Sequence, residues 1–427
     1  MTSSHPRPPG LRAVLAKPAY RRLFAAQTIS RWGDTFNTVA LVVLVFRLTG
    51  KGVGVTGVVL AEIAPVLLLA PAAGLLVDRW PTVRLLVAAD LWRMTLAGLL
   101  PLVDQHLAAV YAVAFSLSAG QVLFNPASGA TLPAILDQDE LVAGNSALWS
   151  AAVTSQIALA PLAGLMVAAW GVAPAFWLNA ATFAVSAATL IGLRLPRPHH
   201  AQAAGTARQP WARRLLEGIR VVTGDPLLRL LAVIQLLAAL SAGATSALLV
   251  VLAGRRLGVG PGGFGLLLGA IGVGAATGPL LLARLTHNPR RPALVFGPLL
   301  LRGMVDLTLA WTRSLTVAIG ALAAYGVGTS TGMVTYNSLL QAEVPAPAHG
   351  RVFASFDLTW QTGRLASLVL GGLAADQFGI QAVYLLGGAL LLAAGTAGLT
   401  LLPGATPSRT PHPPPGNTSG RPPPQRP

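Results

Sequence analysis

The chain has 427 residues, of which 53% are hydrophobic and only 10% charged, with a mean hydropathy of +0.63. A soluble domain carries about a quarter of its residues as charged groups, so a surface this poor in charge must face lipid over much of its area. The absence of cysteine excludes disulfides, thiolate metal sites and cysteine nucleophiles. A net charge of +16 does not indicate nucleic-acid binding, because the basic residues sit at loop edges and form no single stripe. Lysine occurs only as Lys17 and Lys51; this arginine bias, with abundant Ala, Gly and Pro, points to a GC-rich bacterial genome.

Residues 1–22 read as a polar, basic tail, and the apolar run that follows holds Asp34 without a cleavage signal. That run is a retained helix and not a signal peptide. Further apolar runs follow, giving 23–46, 53–77, 82–103, 107–130, 146–169 and 173–193, then 227–253, 264–285, 292–312, 315–340, 352–375 and 380–402. Each is close to the roughly 20 residues of a membrane-spanning helix and twice a barrel strand of about 10. The pattern predicts an all-α membrane protein: a tail at 1–22, a six-helix bundle at 23–193, a linker at 194–226, a second six-helix bundle at 227–402 and a disordered Pro-rich tail at 403–427. Within the linker, Trp211, Leu215, Ile219 and Val222 recur at helical spacing opposite Arg213, Arg214, Glu217 and Arg220, which predicts an amphipathic surface helix. The Asn417-Thr418-Ser419 sequon is taken as accidental.

With both termini inside, basic residues such as Arg21, Arg22, Arg290 and Arg291 cluster on the inner loops, leaving Arg47, Lys51, Arg255, Arg256 and Arg313 outside. This bias places both termini in the cytoplasm of a plasma-membrane protein. The halves also echo each other. FNPASGATLP at 124–133 parallels YNSLLQAEVP at 336–345, and the Gly164–Gly171 spacing returns as Gly372–Gly379. Parallel six-helix repeats are a transporter architecture whose solute site lies where the halves meet.

The segment GLLVDRWPTVRLL, with Gly74, Asp78, Arg79 and Arg84, resembles the signature between helices 2 and 3 of the major facilitator superfamily. Pro81 stands where that signature has a second Gly. The fifth helix reads ALAPLAGLMV, a weakened form of the superfamily's antiporter motif, retaining Pro161 and Gly164 with Ala160 in place of Gly. FNPASGATLPAIL, LLEGIRVVTGDPLLR, YNSLLQAEVP and HGRVFASF are similar to the branch of enterobactin-type siderophore exporters and macrolide efflux pumps. The resemblance implies the major facilitator fold and proton-coupled efflux by alternating access. It also implies that Asp78 holds the cytoplasmic side closed by capping the start of helix 11 near Gly350-Arg351-Val352; a plain topology signal from Arg79 and Arg84 is the simpler alternative.

A charge at the middle of a membrane helix costs about 2.5–3.5 kcal/mol, so each requires a reason. Arg31 and Asp34, Asp90 and Arg93, and Arg302 and Asp306 each fall three or four residues apart on one helical face, which predicts three local ion pairs. Glu62 has no basic residue within two turns of its own helix and lies near midplane. An acid without a partner in low dielectric takes up a proton readily, so Glu62 ranks first as proton carrier, Asp34 second, with Asp357 a further candidate. Asp357 and Arg364, two turns apart, are only loosely coupled. Structural pairing across helices is the competing reading for all of them. Trp32, Phe36, Trp92, Trp149, Tyr336 and Trp360 are candidates to line a cavity.

No enzymatic constellation emerges: the histidines lie in tails or near loops, and Gly50-Lys51 lacks the rest of a phosphate-binding loop. No cofactor or metal is expected. The partners expected are a small amphipathic solute such as a drug, macrolide or siderophore, protons and the bilayer, with the protein a monomer. An uptake symporter of the same fold and a non-transporting membrane scaffold or sensor are the alternative functions.

Overall fold

The computed structural model of the chain describes residues 11–137, 139–193, 195, 211–285, 291–344 and 349–401. Arg290, the linker segment 196–210, the tail 403–427 and its sequon lie outside the described residues, as do the side chains of Trp211, Arg213, Arg214 and Leu215.

Among the described residues there are helices and no strands. Twelve of the helices have 19 residues or more. In the first half these are α1 Pro18–Thr49, α2 Gly52–Arg79, α3 Thr82–Val103, α4 Leu107–Ile135, α5 Leu141–Trp170 and α6 Ala173–Ile191. In the second they are α7 Pro226–Ala247, α8 Pro261–Leu285, α9 Pro292–Trp311, α10 Leu315–Glu343, α11 His349–Gln377 and α12 Ile380–Leu401. Ten are long and apolar enough to cross a membrane by composition alone. The other two, α1 and α11, fall short because they carry Arg31 and Asp34, and Asp357 and Arg364, into the middle of the structure.

Several helices outrun their apolar runs. The helix α4 continues past 130 to Ile135, and α10 continues past 340 to Glu343. The hydrogen-bond ladder persists where the chain leaves hydrocarbon, since nothing in the sequence breaks it there. The run 227–253 is not one continuous helix: α7 ends at Ala247, and the chain goes on through Leu249–Val251 into a π-helical turn at Leu252–Arg256.

Local chemistry sets the ends. Asp225 precedes Pro226, and its carboxylate accepts from the amides of Leu227 at 2.8 Å and Leu228 at 3.1 Å, capping α7. Gly171 and Gly379 adopt φ of 81° and 83° at the α5–α6 and α11–α12 turns, a region that favours glycine. The second members of the repeated glycine pairs therefore perform the same turn in each half.

Packing repeats as well. The helix α1 packs on α5 and α6 as α7 does on α11 and α12, α3 packs on α4 and α6 as α9 does on α10 and α12, and α2 pairs with α4 as α8 does with α10. Two extensive seams, α5–α8 and α2–α11, join the halves. The linker helix Trp211–Gly224 packs on α11, where the Arg351 guanidinium donates to Glu217 at 2.8 Å. Val222 is buried, but Ile219, expected on the apolar face, remains 38% exposed.

Candidate functional site

The α5–α8 seam is built on missing side chains. A Cβ at Gly164 would lie 2.5 Å from the Pro261 carbonyl oxygen and 2.9 Å from the Gly265 Cα. A Cβ at Gly269 would lie 2.7 Å from Pro161 Cγ. Small residues let helix backbones approach to this extent. At the α2–α11 seam, a Cβ at Gly372 would meet Thr56 and the Val53 Cα, the latter at 3.3 Å. The first members of the two repeated glycine pairs thus sit at equivalent seams. Both contacts lie toward the end of the bundle opposite the N terminus, termed here the far end.

From the near end a cavity of about 1220 Å³ enters the first half. It reaches from Pro133 and Leu141 beside the α4–α5 connection to Val39 and Leu268, and is lined by α1, α4 and α5 with Leu268 contributed by α8. Arg31, Asp34, Asn125, Asn145, Trp149 and Gln156 stand among further polar residues, such as Gln27 and Ser128, and apolar ones, such as Val39, Leu132 and Val153, so the walls are mixed. A second cavity of about 430 Å³ lies in the other half, between Tyr336, Phe353, Phe356, Asp357, Trp360 and Arg302. Of the six aromatic candidates, Trp149, Tyr336 and Trp360 line these cavities. Trp32 instead donates to Ser155 at 2.8 Å, Trp92 to the Ser116 carbonyl at 3.0 Å, and Phe36 is buried in the core.

A third, polar pocket of about 180 Å³ brings Asp34 and Glu62 together with Asn37, Arg93, Gln121 and Asn179. Asn37 Oδ1, Asn179 Oδ1 and Arg93 Nε are buried without a hydrogen-bond partner, an arrangement that suits bound water. Among the described residues no hydrogen bond reaches the carboxylate of Asp34 or Glu62; Ser118 donates to the backbone carbonyl of Glu62. Arg364 on α11 acts on Glu62 electrostatically from the opposite half. That influence reaches Glu62 across the bundle rather than along α2, and the two residues form no ion pair. Asp34 lines both the large cavity and the polar pocket and so connects them.

One of the three ion pairs predicted from helical spacing forms. Asp90 and Arg93 are both buried and pair directly. Ser186 donates to Asp90 at 2.6 Å, Arg93 also bonds Gln121, and its guanidinium stacks between the Phe124 and Phe183 rings at 4.6 and 4.3 Å. Arg31 and Asp34 form no ion pair, because Arg31 is exposed on the large cavity and Asp34 also faces the polar pocket. Arg302 and Asp306 do not pair either. Arg302 donates to the Tyr325 hydroxyl at 3.0 Å and stacks on that ring, while Asp306 accepts from Ser241 at 3.3 Å. Shared helical phase allows a pair; neighbouring helices decided these two otherwise.

Around the α2–α3 turn, Gly74 and Arg79 belong to the end of α2 and Arg84 to the start of α3; a Cβ at Gly74 would meet nothing within 4 Å, and Arg79 and Arg84 are exposed. The Asp78 side chain lies outside what the structure describes, so the expected cap on α11 is not defined. Outside the membrane, Lys17 donates to Asp137 at 2.9 Å and also bonds Glu140, tying the start of α1 to the α4–α5 connection. Hydrogen bonding to Glu140 and then to Asp137 raises the Lys17 pKa above 10.5, and the Lys17 hydrogen bond lowers that of Asp137 below 3.8. Composition gave no sign of this cluster, nor of the Arg364–Glu62 approach, since neither is close in sequence.

Over residues 10–409 the chain matches the family model described as transmembrane secretion effector. It is 26% identical over 400 residues to the uncharacterized MFS-type transporter YfiS of Bacillus subtilis (strain 168), covering 89% of this chain and 94% of that one. It is also 26% identical over 377 residues to the multidrug efflux pump Tap of Mycolicibacterium fortuitum, covering 85% and 90%. Among solved structures it resembles the nucleoside transporter NupG (TM-score 0.72, 12% identity, 89% of this chain and 98% of that one). A bacterial homologue of the iron transporter ferroportin matches with TM-score 0.68, 17% identity and 89% and 98% coverage. These two likenesses concern the fold. The chain is a membrane transporter and not an enzyme: it belongs to the transmembrane secretion effector family of the major facilitator superfamily.

Proposed function

We propose that the protein exports small amphipathic molecules, such as drugs, macrolides or siderophores, in exchange for protons, by alternating access. The observation that carries this reading is the junction at Asp34. A cavity of about 1220 Å³, large enough for a drug-sized solute, shares that residue with a polar pocket holding Glu62. A solute in the large cavity and a proton in the polar pocket therefore act on one carboxylate. When Glu62 is charged, it attracts Arg364 and favours one arrangement of the halves; when it is neutral, that attraction is lost.

Within this mechanism Trp149, Tyr336 and Trp360 offer aromatic faces to the solute and Asp357 a carboxylate. Asp78, Arg79 and Arg84 act at the near end when it closes. Pro161 and Gly164 seal the far end. Asp90, Arg93, Arg302 and Asp306 hold helices in place rather than carry protons. The basic bias of the inner loops supports a plasma-membrane protein with both termini in the cytoplasm, which makes the near end cytoplasmic, and the protein works as a monomer. The relationship to the multidrug efflux pump Tap supports export over uptake.

The test is transport into proteoliposomes of a fluorescent lipophilic dye under an imposed pH gradient. Antiport predicts dye movement opposite to the proton gradient, abolished by an uncoupler. Dye movement in the same direction as protons would establish a symporter, and no gradient-dependent movement across a broad compound panel would favour a scaffold.

A further inference from the structure

At the far end, a carboxylate of the second half is bound to the first turn of α2 in the first half. Asp376, one residue from the end of α11, accepts from the Gly52 amide through Oδ1 at 2.7 Å and from the Val53 amide through Oδ2 at 3.0 Å. These are two of the amides at the start of α2 that lack an intrahelical partner. Lys51, the residue before α2, makes no capping bond of its own. The cap of α2 is thus supplied from the opposite half. Arg255, beyond α7, approaches Asp376 at 3.9 Å and also donates to the Gly50 carbonyl, so it grips both the acid and the turn that the acid holds.

The approach depends on glycine. A Cβ on Gly52 would stand 3.0 Å from Ala375 Cβ and 3.2 Å from the Gly372 carbonyl. The carboxylate side chain is 20% exposed, so water competes only partly with the two amides.

We infer that Asp376 is a latch for the far end: its carboxylate on the α2 amides, steadied by Arg255, holds the halves together there and must be released before the cavity can open on that side. This rests on the alternating-access reading above. The geometry also explains why this contact must be reversible. The cap is lost whole when α2 and α11 separate, and both partners then face water, which can satisfy them. A hydrophobic seam would pay no such compensation on opening.

The absence of native cysteines allows the latch to be tested by double spin-labelling without first removing reactive thiols. One pair, Gln105→Cys with Ser314→Cys, reports the far end, and a second, Asp139→Cys with Glu343→Cys, reports the near end. Distance distributions are measured in nanodiscs for the parent chain, Asp376→Ala, Asp376→Asn and Arg255→Ala. Losing two charge-assisted hydrogen bonds should raise the ratio of far-end-open to far-end-closed molecules by about tenfold. Asp376→Asn and Arg255→Ala should give smaller shifts, because each leaves part of the cap in place. The near-end pair reports separately on the proposed function: it shortens as the far end lengthens if access alternates, and stays fixed if it does not. A far-end distribution in Asp376→Ala equal to that of the parent overturns the latch. Equal shifts in all three variants overturn it too, because they would indicate general loosening.

Discussion

Replacing Gly164 with alanine tests whether the far end is closed by backbone contact. The added Cβ would lie 2.5 Å from the Pro261 carbonyl oxygen and 2.9 Å from the Gly265 Cα. Both atoms belong to the backbone at the start of α8, so no rotamer change can relieve them. Non-bonded heavy atoms prefer about 3.5 Å, so α5 and α8 must part by about 1 Å locally. Overpacking of this kind costs about 1–3 kcal/mol, a shift of roughly 5- to 150-fold in the far-end-closed population. Gly320→Ala is the control, because nothing lies within 4 Å of a Cβ placed there. Crosslinking of Leu165→Cys to Gly262→Cys with a short bifunctional thiol reagent reads the seam directly, since a Cβ at Gly262 would lie 3.4 Å from Leu165 Cδ2. Gly164→Ala should slow that crosslink several-fold and reduce transport, whereas Gly320→Ala should do neither. Crosslinking and transport at parental levels in Gly164→Ala would refute the claim that this seam needs a bare backbone.

Three further outcomes are expected. Arg93→Leu leaves Asp90 buried without its partner, at a cost of about 3–5 kcal/mol; folded protein in detergent should fall sharply, and Asp90→Asn added to it should restore part of the yield. Glu62→Gln should abolish proton-driven efflux while leaving dye binding measurable by fluorescence quenching, and intact pH-driven transport would remove Glu62 from the mechanism. The Lys17 cluster should loosen at both extremes of pH. The Asp137 pKa is lowered from 3.8, so its contribution is present above that value and lost as pH falls through the lowered one; the Lys17 pKa is raised from 10.5, so its contribution holds below that value and is lost as pH rises through the raised one. Hydrogen exchange of residues 11–24 should therefore accelerate in acid relative to neutral pH, after correction for intrinsic rates, and Lys17→Met should remove the difference.

Some of the site was legible because it depends on local chemistry. Asp90 and Arg93 are three apart, so helix geometry alone places them on one face. The pairs Gly164–Gly171 and Gly372–Gly379 share one spacing in the sequence, which signals the repeat, and in the fold they fall at corresponding seams and turns. Asp376 carried no such mark: in sequence it is an acid near a helix end, much like any loop residue. Only the packing of α11 on α2 brings it to the Gly52 and Val53 amides, 324 and 323 residues away.

What the sequence determined by itself is the class of environment and the periodic skeleton. Apolar runs of spanning length force every backbone amide into its own helix, because hydrocarbon offers no other partner, and the two-fold pattern of Asn, Pro and Gly fixes the repeat. What only the tertiary structure decided is which charges meet. Arg31–Asp34 and Arg302–Asp306 each share a helical face as Asp90–Arg93 does, yet of the three only Asp90–Arg93 closes into an ion pair, while Arg364 of the opposite half comes within electrostatic reach of Glu62. The reason is physical: helical phase restricts a side chain to a face, but the partner on that face is chosen by which helices pack there.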